Sequence, residues 1–162
     1  VSLRDKIQDP ELLAILDRQY AFMLDEYNIT QEAYKTGHDP KHPTRSYKMQ
    51  MSNETEYGLK PGQPKKPIQS AQEFNDEIIS GVLLGIHKVG ATGKTAAALE
   101  STNPVVRRVL QDSVPNCVEM AYELSLYQNK RGYYQVPKLS PTDVTTMLTA
   151  YGQAEGAKNM PN

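Results

Sequence analysis

The chain is poor in cysteine and in large aromatic rings: Cys117 stands alone, tryptophan is absent, and there are two phenylalanines in 162 residues. A single cysteine excludes an internal disulfide framework and any cysteine-based zinc site. Charge of one sign is not in excess either. Eighteen basic residues face nineteen acidic ones, for a net charge of −1, which gives neither a basic field for nucleic acid nor an acidic tail. Long apolar runs are missing. The longest useful stretch, Ile78 to Ile86, is broken by Ser80, Gly81 and Gly85, far short of the ~18 residues of a membrane span. The first residues, Val-Ser-Leu-Arg-Asp-Lys, lack the apolar core of a secretion signal, so no export by that route is expected of the chain as given. No segment alternates at period two for more than a few residues, which argues against a sheet.

Helix punctuation is abundant. Asp9-Pro10, Asn103-Pro104 and Ser140-Pro141 each put a side-chain acceptor at an N-cap with proline at the first helical position, where its missing N–H costs nothing. Ser70-Ala71-Gln72-Glu73 reads as a capping box. The stops are Gly37, Gly132 and Gly152; the first two follow cationic last turns that suit the helix dipole. The predicted helices are therefore 10–36, 71–99, 104–131 and 141–151, with a tail over 152–162. The three long ones are matched in length at about 40 Å each, the proportions of an all-α bundle forming one domain.

Apolar periodicity predicts the inward faces. In the first helix Leu13, Leu16, Tyr20, Met23, Leu24, Tyr27 and Tyr34 recur at three- and four-residue steps. In the second, Phe74, Ile78, Val82, Ile86 and Val89 do so, followed by Ala96 and Leu99. The third offers Val106, Val109, Leu110, Cys117, Ala121, Leu124 and Tyr127, and the short fourth Val144, Met147, Leu148 and Tyr151. Gly81 and Gly85 are expected to admit a neighbouring helix closely, Gly90 and Gly93 to distort the second helix, and Pro115 to kink the third. Residues 37–70 form a connection with five prolines, six Lys/Arg, His38 and His42. It is long enough to run the height of the bundle, so the first two helices need not be antiparallel. Two readings are open for it: a solvated crossover, or a mobile basic arm that docks on a signalling partner. The second and third helices, joined by only Glu100 to Asn103, must form an antiparallel hairpin.

Candidate chemistry is sparse. Gly90-Ala91-Thr92-Gly93-Lys94-Thr95 lacks the earlier glycine of a phosphate loop, since position 88 is lysine, and no strand precedes it. A di-iron centre needs Glu-x-x-His pairs; none of Glu26, Glu77, Glu100, Glu119 and Glu123 has a histidine three residues on. His87 reads as a partly buried or surface histidine, Cys117 as a small buried hydrophobe, and no nucleophile–base grouping is evident. No catalytic residue, metal ligand or cofactor is assigned. The tyrosines are the informative side chains. Tyr20, Tyr27 and Tyr34 are seven apart on one helix face, and Tyr122, Tyr127, Tyr133 and Tyr134 gather at the end of the third helix. They are either core and core-edge rings or a contact surface for another chain, in which case oxidative or transamidating cross-links are conceivable. Tyr20, Tyr27, Tyr34, Tyr122, Tyr133 and Tyr134 are the candidate interaction surface.

The run Glu100-Ser101-Thr102-Asn103-Pro104-Val105-Val106-Arg107-Arg108, then Met120-Ala121-Tyr122-Glu123-Leu124, then Asn129-Lys130-Arg131-Gly132-Tyr133-Tyr134-Gln135-Val136-Pro137, resembles the Coat F family of bacterial spore coat proteins. The resemblance covers roughly residues 73–139, with Gly132-Tyr133-Tyr134 and Pro137 its most specific part. It implies a ferritin-like helical bundle and a structural, non-enzymatic role in coat assembly. It also implies placement in the spore coat after synthesis in the sporulating cell, with other coat proteins and further copies of the chain as partners. The alternative is a ferritin-like metal- or small-ligand-binding protein with an atypical site built on Glu26, Glu77 or Glu123.

Overall fold

Asp9 opens the first helix as its spacing demands: its carboxylate accepts from the Glu11 N–H at 2.9 Å, and Pro10 follows. The computed structural model describes residues 3–154 and 156; the last part of the expected tail lies outside them. Its helices are α1 (Pro10–Thr36), α2 (Asp76–Glu100), α3 (Pro104–Lys130) and α4 (Pro141–Leu148). Two short 3-10 turns, Arg4–Lys6 and Ala71–Glu73, precede α1 and α2. The architecture is all-α, three long helices and one short one, with no strand among the described residues.

Two expected boundaries need correction. The Ser70–Glu73 motif makes only a single turn, because the Ser70 hydroxyl spends its bond on the Glu73 carboxylate (3.0 Å) instead of capping a backbone N–H. The helix proper starts after Asn75, whose side chain accepts from the Ile78 N–H at 3.0 Å. Gly152 does not stop α4, which closes at Leu148. Gly90 and Gly93 lie inside an unbroken α2, and α3 runs on through Pro115. Pro115 and Gln111, the residue whose carbonyl loses a partner, are both solvent-exposed, so water can take over that bond. Gly37 and Gly132 do adopt the left-handed conformation, at φ 69° and 74°.

Ion pairs and caps fix the helix directions. At one end Asp9 accepts from the Tyr127 hydroxyl (2.9 Å) and from Arg131 (2.6 Å), tying the start of α1 to the end of α3. Asp76 there accepts from the backbone N–H groups of Gln8 and Asp9, which brings in the start of α2. At the other end the Asn103 amide reaches the Gly37 carbonyl. Hence α1 and α2 run parallel, and both are antiparallel to α3. Such a course requires a connection that spans the bundle, and residues 37–70 supply it.

Two apolar clusters hold the helices together. Leu12, Ile15, Ile79, Leu84, Leu124 and Tyr127 form the lower one; Ile29, Ala33, Val106 and Val109 form the upper. The buried face of α1 is thus Leu12, Ile15, Gln19, Glu26, Ile29 and Ala33, not the stripe that periodicity favours. Tyr20, Leu24, Tyr27 and Tyr34 are exposed, as are Val82, Ile86, Val89 and Leu99 of α2. The reason lies between the two clusters, where the bundle is polar.

Candidate functional site

The middle layer is built from heptad-spaced polar residues: Gln19 and Glu26 on α1, Asn116 and Glu123 on α3, with His87 from α2, all buried. Glu123 is the hub. Its Oε1 accepts from Arg18 (2.5 Å) and from the Gln50 backbone N–H (2.9 Å); its Oε2 accepts from the Tyr47 hydroxyl (2.6 Å) and the Gln19 amide (2.9 Å). All four lone-pair positions are filled. Burial alone would raise the carboxyl's pKa, but these donors, Tyr47 foremost, outweigh it and hold Glu123 below the usual carboxylate range. Burial pushes the Tyr47 hydroxyl up to about 12, with the bond to Glu123 adding to the shift.

The Gln19 amide nitrogen donates to Glu123, so its oxygen is left to accept from His87 Nε2 at 2.9 Å. Burial, helped by nearby Lys94, lowers the His87 pKa to about 4, and the ring is neutral with its proton on Nε2. Glu26 is held separately, by Asn116 (2.6 Å) and Lys94 (3.0 Å). Lys94 therefore serves as a counter-ion within the stretch that superficially resembles a phosphate loop. Glu77 lies apart, paired with Lys65. Protein donors and cations occupy the places metal ions would need. Among the described residues no three His, Cys, Asp or Glu side chains converge on a metal position.

Over 45–58 the connection is not a free arm: it crosses the bundle with most of its residues exposed, but as a strap sewn to α3. Asn116 accepts from the Tyr47 N–H (2.8 Å) and donates to the Arg45 carbonyl (2.8 Å). Glu123 takes the Gln50 N–H, and Asn129 brackets Glu56 with bonds of 2.7 and 3.1 Å. The Gly58 N–H reaches the Val136 carbonyl at 2.8 Å, beside a parallel bridge between Tyr57 and Val136. Phe22 packs edge-on against Tyr47, ring centroids 5.2 Å apart. Beyond it, residues 59–70 are exposed. Buried backbone must find partners, and here α3 side chains supply them.

On the opposite side, between α1 and α2, there is no strap. Thr30, Gln31 and Tyr34 of α1 face Ala97 and Glu100 of α2 across an open groove of about 470 Å³. Below it, Tyr27 and Tyr20 continue the exposed row along α1, and Val89, Ile86 and Val82 are exposed on α2 at three- and four-residue steps. Of the six candidate tyrosines, Tyr20, Tyr27 and Tyr34 share this face at 43%, 60% and 75% exposure. The others are elsewhere: Tyr133 packs on Tyr127 (centroids 6.3 Å apart), Tyr134 lies beneath Lys88, and Tyr122 is exposed on α3. The α2 wall and the polar seam were not among the candidate residues; the seven-residue spacing of Gln19–Glu26 and of Asn116–Glu123 was the available signal.

The all-α bundle thus combines a saturated polar middle with exposed apolar residues on α1 and α2. Residues 75–137 match the Coat F domain. The chain is 49% identical over 154 residues to the "Spore coat protein F-like protein YhcQ" of Bacillus subtilis (strain 168), an alignment covering 95% of this chain and 71% of the relative. This chain belongs to the Coat F family. No solved structure matches it with significance. No helix among the described residues is long and apolar enough to cross a membrane.

Proposed function

We propose that this chain is a structural, non-enzymatic component of the bacterial spore coat that acts in coat assembly through self-association and contacts with other coat proteins. Membership of the Coat F family supports the coat role. The observation that carries the assembly role is the exposed tyrosine-bearing face of α1, large and apolar on a helix whose other face is fully engaged. The bundle reads as a single domain of ferritin-like type: helix pairs joined by one long crossover run with two parallel and diagonal members, as α1 and α2 do here. The titratable core groups have structural work to do, Glu123 anchoring the strap and Glu26 neutralising Lys94, and no coupled acid–base pair is left over for chemistry.

A fluorescent fusion followed through sporulation tests the reading. Enrichment in a shell around the forespore is the expected result; diffuse signal in the mother cell throughout overturns it. Elemental analysis of the purified protein is the second arm. Stoichiometric iron or manganese that is lost in Glu26→Ala or Glu123→Ala would replace the structural reading with a metal-binding one.

A further inference from the structure

The α1/α2 groove has the geometry of a missing bundle position. The long helices whose backbones lie close together are antiparallel, α1 with α3 and α2 with α3, whereas α1 and α2 meet through side chains, Gln19 with His87 and Glu26 with Lys94. A helix lying between α1 and α2, opposite α3, would have to run antiparallel to both, and α1 and α2 point the same way. A second copy rotated about a two-fold axis perpendicular to the bundle presents its own α1 in that direction. Two-fold contacts are self-complementary, and α1 carries a stripe that is symmetric about its centre: Tyr20 and Tyr34 flank Tyr27 at equal distance.

We propose that a second copy of this chain fills the groove, its α1 packing antiparallel against α1 and α2 with Tyr27 near the two-fold axis and Tyr20 opposite the partner's Tyr34. This deepens the self-association proposed above by naming the surface. The area is adequate. Tyr20, Leu24, Tyr27, Tyr34, Val82, Ile86 and Val89 are between 40% and 75% exposed. Together they leave roughly 700 Å² open, close to the ~800 Å² each partner gives to a stable interface. Few charges interrupt the stripe: Asn28 and Gln31 are its polar members on α1. On α2, Ala97 lines the groove with a small exposed side chain, so that wall is open to an incoming helix.

That wall supplies a clean variant. Ala97→Glu puts a charge in the groove from an exposed helix position, and Tyr27→Glu does so on the axis. Light scattering on the wild-type chain should give twice the monomer mass at micromolar concentration, and either variant should give the monomer mass with unchanged helical circular dichroism. In a Cys117→Ala background, Tyr27→Cys should form an intermolecular disulfide on mild oxidation. Tyr20→Cys should link only when mixed with Tyr34→Cys. A monomeric wild type, or a dimer indifferent to Ala97→Glu, overturns the interface. So does cross-linking of Tyr27→Cys to Met147→Cys in place of itself, which would put α4 in the groove. A fusion that reaches the coat while the pure chain stays monomeric defeats this interface and leaves the coat role standing; absence from the coat defeats the role whatever the mass.

Discussion

The two seams that α1 shares with the rest of the molecule are opposites. Toward α3 and the strap it is closed, with a polar middle fully satisfied between two apolar clusters: Arg18, Gln19 and Glu26 are each bonded to named partners, and Glu123 accepts four hydrogen bonds. Toward α2 it makes the Gln19–His87 bond and the Glu26–Lys94 pair, and above these it opens onto an apolar groove. In a protein of this size the reverse is expected, grease inside and polarity out. The polar seam specifies one arrangement, since buried donors and acceptors match in only one register. The open seam contributes little to the fold of one chain, and is therefore free to hold something else.

The largest way to break that contrast is to remove the hub. Glu123→Ala removes the carboxylate that Arg18 and the Tyr47 hydroxyl share, leaving the two bonded to each other, and cuts the Gln50 N–H loose. Removing a buried carboxylate that accepts four hydrogen bonds costs about 3–5 kcal/mol, a large part of the stability of a domain this size. Chemical denaturation should show that loss, and hydrogen exchange should show Tyr47 and Gln50 losing protection before the α2–α3 hairpin does. A loss below about 1 kcal/mol would mean the strap is held by apolar contact alone.

The second test uses acid. His87 is neutral in the folded chain with a pKa lowered to about 4, while an unfolded histidine titrates near 6.5. Above pH 6.5 both states hold the neutral ring and nothing is lost. As pH falls from 6.5 to 4 the unfolded chain takes up a proton that the folded chain refuses, and stability drops by roughly 3 kcal/mol across that window. Below 4 the loss from this group levels off, while Glu123, whose pKa is depressed, continues to weaken the fold. His87→Gln, which keeps a donor for Gln19, should flatten the curve between pH 6.5 and 4 and leave its lower limb. An unchanged profile would place the acid sensitivity elsewhere.

Much of the fold was legible because local signals were unambiguous. Asp9, Asn103 and Ser140 cap the helices as their side chains require, and Gly37 and Gly132 stop them. The face of α3 was also legible: Val106, Val109, Cys117, Leu124 and Tyr127 are buried as their spacing predicts. On α1 and α2 the same rule selected the wrong side. Leu13, Leu16, Tyr20, Met23, Leu24 and Tyr27 outweigh a buried row that includes Gln19 and Glu26, so a count of apolar residues favours the outer face. Val82, Ile86 and Val89 outweigh Ile79, Leu84 and His87 in the same way. Hydrophobic period locates the core only when the core is hydrophobic throughout. The strap was invisible for a related reason, since its backbone partners are side chains at 116, 123 and 129, more than sixty residues away in sequence.

The smallest effect sharpens the comparison from the open side. Gly85 sits mid-helix in α2, and a Cβ there would meet nothing within 4 Å. Alanine is favoured over glycine in a helix interior by about 1 kcal/mol, because glycine gives up more backbone freedom on folding. Gly85→Ala should therefore stabilise the folded chain by about 0.5–1 kcal/mol, read as a higher denaturation midpoint with an unchanged slope. Gly81 is the control on the packed side: its added Cβ would lie 3.6 Å from the Gln128 amide, which in turn bonds the Ser80 hydroxyl at 3.1 Å. That distance is ordinary van der Waals contact, so Gly81→Ala should stabilise at least as much as Gly85→Ala. A smaller gain at Gly81 than at Gly85 would mean that the packed seam resists a methyl group its spacing admits, so that packing there is tighter than contact distance alone indicates.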